Sequence, residues 1–548
     1  MKIEYENSIF DFARPMLLSD ILKTADPEHV HQIMACLSGG IVVELADTVS
    51  SDCALVPITF QNEEGRRIYE RTLRCVMLLA MQRLYPGKRV RIEHSIGYGI
   101  FLRLEEHQFD LEQLQKVQEE MQNIIRSDIP IQKNEWSKEK ALSYFKAQRW
   151  DEKHALLESQ DTDRLTVYTC DTLSDCFYGA MLPSTGYVRY FSLRLVYPGI
   201  TMMMPSPSDP QKPAPYIHRP KNLSAFSKSI HSCEIMHIAN ADDLNRMLKD
   251  ASYRHLIRLN EALHNQSLSQ IADSISSGNA KAVFIAGPSS SGKTTFANRL
   301  CIHLQVLGYT THVVSLDDFY RNKADLQPDA NGEIDLEDIN ALDIPCLTQT
   351  ISDLLSGKPA YVPTYDFLTG ARSKDYKVIQ PEKQQIIVFE GIHALNPLLH
   401  DGFDPSLIFR IYISELTCIN IDDHNRIRTT DARLLRRMVR DYQFRNAPAD
   451  ETLRMWPSVR RGEEKWIFPY QEQVDCMFNS VLHYELPVLK PLAEPLLKAI
   501  QPENPNYLIA KRLLGLLDCF QAAPESIQNE IPPLSILREF IGGCTLYL

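Results

Sequence analysis

The 548-residue sequence has no C-x-x-C pair, and its 12 cysteines are scattered. That argues against a disulfide-stapled scaffold and fits reduced, buried thiols in a cytosolic protein. No uncharged apolar run approaches the ~20 residues needed to span a bilayer. Residues 1–30 carry Asp and Glu among their apolar residues, unlike a signal peptide. A cytoplasmic protein with no membrane partner is therefore expected. Basic residues are not in excess: 58 Lys and Arg stand against 70 Asp and Glu, a net charge of −12. Nucleic acid is thus the less favoured partner, open only to a local basic patch. No repeat or low-complexity tract is evident. What remains is ordinary soluble material, 44% hydrophobic and 23% charged, long enough for roughly three or four domains.

Along the chain, Leu17–Leu22 reads as a short helix, and Ile41–Leu45 and Leu55–Phe60 read as strands. A stronger helix runs from Arg66 to Leu84 and stops at Tyr85-Pro86-Gly87. Strands follow at 90–93 and 99–104, then a helix over 110–126, then strand-like segments to about residue 200. The Pro-rich stretch 205–215 marks a loop or linker. Residues 241–276 read as one or two helices. From Ala282 onward, short β-rich runs alternate with helical segments, the pattern of a parallel sheet covered on both faces.

The sharpest local signal starts there. Ala282–Ala286 is a buried-strand run. Gly287-Pro288-Ser289-Ser290-Ser291-Gly292-Lys293-Thr294-Thr295 follows, then an apolar helix from Phe296. This is G-x-x-x-x-G-K-[ST] in the context it needs, strand before and helix after. Glycines let backbone N–H groups turn toward phosphate oxygens, and the helix N-terminus adds a favourable dipole. Lys293 would hold the β- and γ-phosphates, and Thr294 would ligate Mg²⁺.

Two more strands end in acids. Thr311–Leu316 runs into Asp317-Asp318, and Gln385–Phe389 into Glu390. A carboxylate at the C-terminal end of a parallel strand faces the ligand crevice. Asp317 suits a base that takes a proton from an attacking hydroxyl, and Glu390 suits Mg²⁺ or its water shell. A basic helix carries Arg433, Arg436, Arg437, Arg440 and Arg445, with pairs four apart. Such a cluster suits a lid over transferring phosphoryl oxygens, or else a solvated face with ion pairs to Asp431 and Asp441.

On these motifs, residues 282–490 resemble the uridine kinase and phosphoribulokinase group of P-loop kinases. The resemblance also rests on Leu316–Arg321, Tyr365-Asp366-Phe367, Val388–Ile392 and Arg436–Asp441. It implies an ATP- and Mg²⁺-dependent transfer to a nucleoside 5′-hydroxyl, with Lys293, Asp317, Arg437 and Arg440 catalytic. Asp335 would bind the ribose hydroxyls, Tyr365 and Phe367 would border the base, and Arg372 and Arg445 would contact substrate or phosphates. The sequence departs from the pyrimidine-specific pattern twice. Gly370 stands where those kinases carry a base-touching histidine, and Ala447 replaces the second arginine of an Arg-Gly-Arg run.

Residues 1–62 resemble the TGS module, a small β-grasp-like unit. Residues 63–225 resemble the second N-terminal domain of threonyl-tRNA synthetases. The four editing positions of that domain fall on Arg71, Cys75, Phe177 and Met181, none of which keeps the family residue type. Arginine is no metal ligand and phenylalanine offers no lone pair, so neither editing nor a front-half metal is expected. The expected architecture is α/β. A β-grasp-like module and an α+β synthetase-like domain come first. A helical linker (226–277), a P-loop kinase domain with a helix-flanked parallel sheet (278–500) and a helical extension (501–548) follow. The expected partner is a small nucleoside, and a homo-oligomer is the expected assembly. The alternatives are a nucleotide-gated RNA- or ribosome-binding regulator and a kinase of a phosphorylated sugar.

Overall fold

The computed structural model describes residues 1–327, 335–366 and 369–546. The chain opens with strands β1 (Lys2–Tyr5) and β2 (Ser8–Asp11), helix α1 (Leu18–Ala25), and strands β3 (Ile33–Ser38), β4 (Ile41–Glu44) and β5 (Cys53–Thr59). These strands form one sheet in the order β2-β1-β5-β3-β4, with β1 and β5 parallel and the other pairs antiparallel. Leu18, Ile21 and Leu22 of α1 are fully buried.

The next unit is built around α2 (Glu63–Leu84), whose run from Arg67 to Met81 is buried throughout. Strands β6 (Val90–Ile96) and β7 (Gly99–Leu104) follow, then α3 (Leu111–Arg126), which starts on a reciprocal Asp110/Gln113 capping box. Strand β8 (Ile131–Ser137) leads to helices α4 (Lys138–Gln148) and α5 (Asp151–Ser159). This corrects the reading of strands over the whole stretch. Tyr144, Phe145 and Trp150 give it a strand-like aromatic content, but Ser137 caps α4 by accepting from the Lys140 N–H at 3.3 Å. Strands β9 (Arg164–Cys170), β10 (Leu173–Asp175), β11 (Ser192–Val196) and β12 (Gly199–Met203) complete two small sheets, β8-β9-β10 and β11-β12-β7-β6. The Pro-rich stretch is also ordered: Pro205–Ser206 pairs antiparallel with Asp209–Pro213.

Helices α6 (Pro220–Ile235), α7 (Ala241–Met247) and α8 (Ser252–Ser276) lead into the second half. There β13 (Ala282–Ala286), α9 (Lys293–Val306), β14 (Thr310–Ser315), α10 (Ile344–Leu355), β15 (Gln385–Glu390) and β16 (Ile408–Ser414) are followed by α11 (Thr429–Phe444), α12 (Ala449–Trp466) and β17 (Cys476–Asn479). The strands make a parallel sheet in the order β14-β15-β13-β16-β17. Alternate residues enter different cores: Val283 and Ile285 pack on one face, Phe284 and Ala286 on the other. All are fully buried, which is why the strand reads as a continuous apolar run rather than an alternation. Helices α13 (Glu485–Lys498) and α14 (Tyr507–Leu517) and the short helix Arg538–Ile541 join the first of these cores.

Buried polar contacts join the two halves. Arg67 of α2 forks onto Asp431 of α11 at 2.9 and 3.1 Å. His424 pairs with Asp175 at 2.6 Å, Lys153 lies 3.3 Å from Asp422, and the Ile92 N–H donates to the Asp423 carbonyl. Breaking one partner of such a buried pair costs about 3–5 kcal/mol, because the other charge is left unpaired. Among the described residues no helix is long and apolar enough to cross a membrane.

Candidate active site

The loop 287–292 leaves the C-terminal end of β13 and feeds the N-terminus of α9. Two residues take left-handed backbone conformations, Ser290 (φ 60°) and Gly292 (φ 82°). Gly287 has no room for a side chain: a Cβ there would lie 2.0 Å from the Ile413 carbonyl oxygen. The loop therefore hugs β16 while its chain reverses. The first N–H groups of α9 have no intrahelical partner, so they and the helix dipole make an anion cradle. Ser290 and Ser291 are buried, and their hydroxyls have no hydrogen-bond partner. That donor set fits a polyphosphate.

Lys293 donates its Nζ to the loop's own Gly287 and Pro288 carbonyls at 3.0 and 3.2 Å. Burial lowers its pKa, against the pull of Glu390, Asp317 and Glu539. The Thr294 hydroxyl and the Ser315 hydroxyl both donate to Glu390 Oε1, at 3.2 and 3.1 Å. Burial, then Asp317, push the Glu390 carboxyl up to about 7. A hydroxyl and a carboxylate meeting beside a phosphate cradle suit a hard cation that keeps phosphate and water as its other ligands, as Mg²⁺ does. Asp317 sits just past β14, in the turn Leu316–Phe319. Burial raises its pKa, while Lys293, Arg445 and Arg440 act to lower it. Asp317, Lys293, Glu390 and Arg440 thus share one electrostatic neighbourhood.

The arginine helix α11 is neither a solvated face nor a free lid. Arg433 and Arg436 are buried. Arg433 bonds Glu463 and the Ser289 carbonyl, and Arg436 bonds Glu485 and the Ser290 carbonyl. Both hold the loop in place. Arg437 reaches the loop too, donating to Ser289 Oγ at 2.9 Å, and it bonds Asp441. Arg440 bonds the same carboxylate, and Arg445, exposed at the helix end, lies 3.6 Å from it. Asp441 thus gathers the three arginines nearest the cleft.

The remaining predicted contacts are more scattered. Asp335 is exposed, and its carboxylate accepts the Glu337 N–H at 2.9 Å. Tyr365 is buried against Tyr320, and its N–H donates to Asp318 at 3.3 Å. Arg372 donates to the Tyr320 and Phe319 carbonyls and to Asp343, bracing the turn that carries Asp317. Phe367 lies outside the described residues.

Three acids that sequence reasoning did not single out complete the site. Glu337 is pushed up to about 7, mainly by burial, and feels Arg437, Lys293 and Asp317. Glu463 accepts the Ser289 N–H at 3.1 Å. Glu539, in the C-terminal segment, accepts from Thr295 Oγ1 at 2.7 Å. The same segment lays Ile536 against the loop, 2.4 Å from where a Gly292 Cβ would stand. Only Glu337 had a signal, since it lies two residues from Asp335 in the acidic run.

The front cleft has a different character. Arg71 pairs with Glu64 at 3.0 Å, and Cys75, Phe177 and Met181 are buried in the front core.

The comparisons divide the chain in the same way. Its N-terminal region is similar to threonine–tRNA ligases: 29% identical over 190 residues to that of Finegoldia magna, covering 34% of this chain and 30% of the ligase. The ligase of Symbiobacterium thermophilum is 27% identical over 195 residues, 34% of this chain and 29% of the ligase. The chain thus spans less than a third of the length of these curated relatives. A solved D-glycerate 3-kinase from Cryptococcus neoformans var. grubii is 18% identical, over 52% of this chain and 89% of that one, with a TM-score of 0.21. The family model described as Phosphoribulokinase / Uridine kinase family matches residues 282–486. The phosphate loop, Asp317, Glu390 and the α11 arginines all lie in the segment that matches the phosphoribulokinase / uridine kinase family model, and the front region is similar to threonine–tRNA ligases.

Proposed function

We propose that the second half transfers the γ-phosphoryl group of ATP to the 5′-hydroxyl of a nucleoside. One observation carries this reading: a carboxylate at a strand end, Asp317, lies within electrostatic reach of the loop lysine and of Arg440. A protein that only bound nucleotide would need the loop but not this acid.

In the proposed reaction Asp317 accepts the proton of the acceptor hydroxyl as its oxygen bonds to the γ-phosphorus and the bond to the β-bridging oxygen breaks. Lys293 turns from the Gly287 and Pro288 carbonyls to the β- and γ-oxygens. Arg437 and Arg440, aligned by Asp441, meet the charge spread over the transferring group. Thr294 and Glu390 would hold Mg²⁺, which would offset the negative charge of the phosphates. Glu463 and Glu539 fix the loop and the first turn of α9 through the Ser289 N–H and the Thr295 hydroxyl.

Pyrimidine choice is not built in at Gly370, which offers no side chain to a base. We therefore infer a nucleoside acceptor of broader base tolerance. The test is a panel of ribonucleosides, deoxyribonucleosides and sugar monophosphates with ATP and Mg²⁺. Turnover of nucleosides, with purines and pyrimidines within a few-fold of one another, supports the reading. Turnover of the sugar phosphates alone overturns it.

A further inference from the structure

The largest cavity among those described is not at the phosphate loop. It lies between the two halves, about 550 Å³ in volume. Nine Lys and Arg side chains line it against four Asp and Glu, and outside the lining Glu63, Asp47, Asp175 and Asp422 pair with Arg67, Lys133 and Lys153. The front half supplies Arg67, Arg71 and Arg74, which share one face of α2 at i, i+4 and i+7. The second half supplies Arg426, Arg428 and Arg512.

Arg67 bonds both Glu63 and Asp431, but the other guanidiniums share their carboxylates. Glu70 alone serves three of them. It lies 3.7 Å from Arg74 and 3.6 Å from Arg426, and it bonds Arg428. Asp431 is shared by Arg67 and Arg512, and Glu64 by Arg71 and Arg512. Arg74 and Arg426 keep side-chain exposures of only 6% and 8%, and the Nε–H groups of Arg74, Arg426 and Arg512 have no hydrogen-bond partner. Buried donors without partners are costly, and native structures rarely keep them unless something else satisfies them. Burial lowers both Arg74 and Arg426 to about 10, as expected where the nearby negative charge is insufficient. Across the cavity, Phe145, Leu157, Leu165 and Leu516 form an apolar wall. The size suits a small molecule. The forked donors suit phosphate oxygens, and the wall suits an organic body.

We propose that this interdomain cavity binds a small organic phosphate, held by arginines from both halves. The proposal is independent of the reaction at the phosphate loop, since no residue lining the cavity belongs to that loop. The ligand would tie α2 to the segment that enters α11.

The test uses the full chain carrying Lys293→Ala, which weakens the phosphate loop. Inorganic pyrophosphate and adenosine 5′-monophosphate serve as probes, with citrate as a non-phosphate polyanion, by calorimetry and thermal unfolding. Both phosphates should bind and raise the unfolding temperature, and citrate should bind at least tenfold more weakly. Arg426→Gln should weaken both phosphates tenfold or more. Gly515→Phe should do the same by filling the cavity. It serves where the arginine variant does not fold, because nothing lies within 4 Å of a Cβ at Gly515. Failure of both phosphates to bind overturns the proposal, as does binding unchanged in Gly515→Phe. So does binding of a transfer RNA but of neither small phosphate.

Discussion

Replacing Asp317 with asparagine separates base catalysis from nucleotide binding. The carboxylate stands between cations: Lys293, Arg445 and Arg440 all act on it. An amide of the same shape keeps the turn but cannot take a proton. Base catalysis is worth roughly 10²–10⁴ in rate, so at about 1.36 kcal/mol per tenfold the variant should lose about 2.7–5.4 kcal/mol of transition-state stabilisation. The change also removes a negative charge beside the cradle of an anionic nucleotide, so the KM for ATP should stay the same or fall. The pH profile carries a second sign. Burial raises the Asp317 pKa, so wild-type turnover should decline with acid from above the ordinary carboxylate range, and Asp317→Asn should lose that limb. Steady-state kinetics between pH 5 and 9, with a coupled assay for ADP, measure all three. Turnover within tenfold of wild type, or a rise in the KM for ATP that accounts for the loss, would refute the role of Asp317.

Other parts of the account can be checked one residue at a time. Lys293→Ala removes charge-assisted bonds worth about 1.5–3 kcal/mol, so ATP should bind roughly 10- to 100-fold more weakly by calorimetry. Gly292→Ala forces a Cβ into a left-handed residue and against Ile536. It should cost about 1–3 kcal/mol, seen as a lower unfolding temperature that Ile536→Ala partly restores. Glu415 is buried near Glu485 and is pushed up to about 8, mainly by burial and then by Glu485, with Arg436 acting to lower it. Its native form keeps a proton that the unfolded chain gives up near the ordinary glutamate value. Stability should therefore fall as pH rises from about 4.5 to 8, by at most about 1.4 kcal/mol per pH unit, and Glu415→Gln should flatten that slope in thermal melts.

The parts legible in the sequence are those whose cause is local. The strand, glycines, lysine and threonine of the phosphate loop lie within fourteen residues, and strand-end acids are visible because each follows its own apolar run. The arginine helix shows where local reading stops. Its spacing is plain, yet Arg433 and Arg436 differ from Arg437 and Arg440 only through Glu463, Glu485 and Asp441, and two of those three lie 30 or more residues away. The same reason hid Glu539, which reaches Thr295 across 244 residues. In the acidic run, the resemblance pointed to Asp335, which is exposed, while Glu337 feels Arg437. The basic cavity was out of reach for a related reason. Arg71 is visible as a lost metal ligand, but its neighbours across the cavity come from a segment some 350 residues later.

The central claim is that this cleft passes a phosphoryl group to an alcohol rather than to water. The direct measurement follows γ-labelled ATP with the full chain, Mg²⁺ and a nucleoside that the panel has identified, resolving labelled nucleoside 5′-phosphate from free phosphate. The account predicts label on the nucleoside in large excess over free phosphate, abolished by Lys293→Ala and reduced at least a hundredfold by Asp317→Asn. Label released only as free phosphate, at a rate indifferent to the nucleoside and to Asp317, would contradict it.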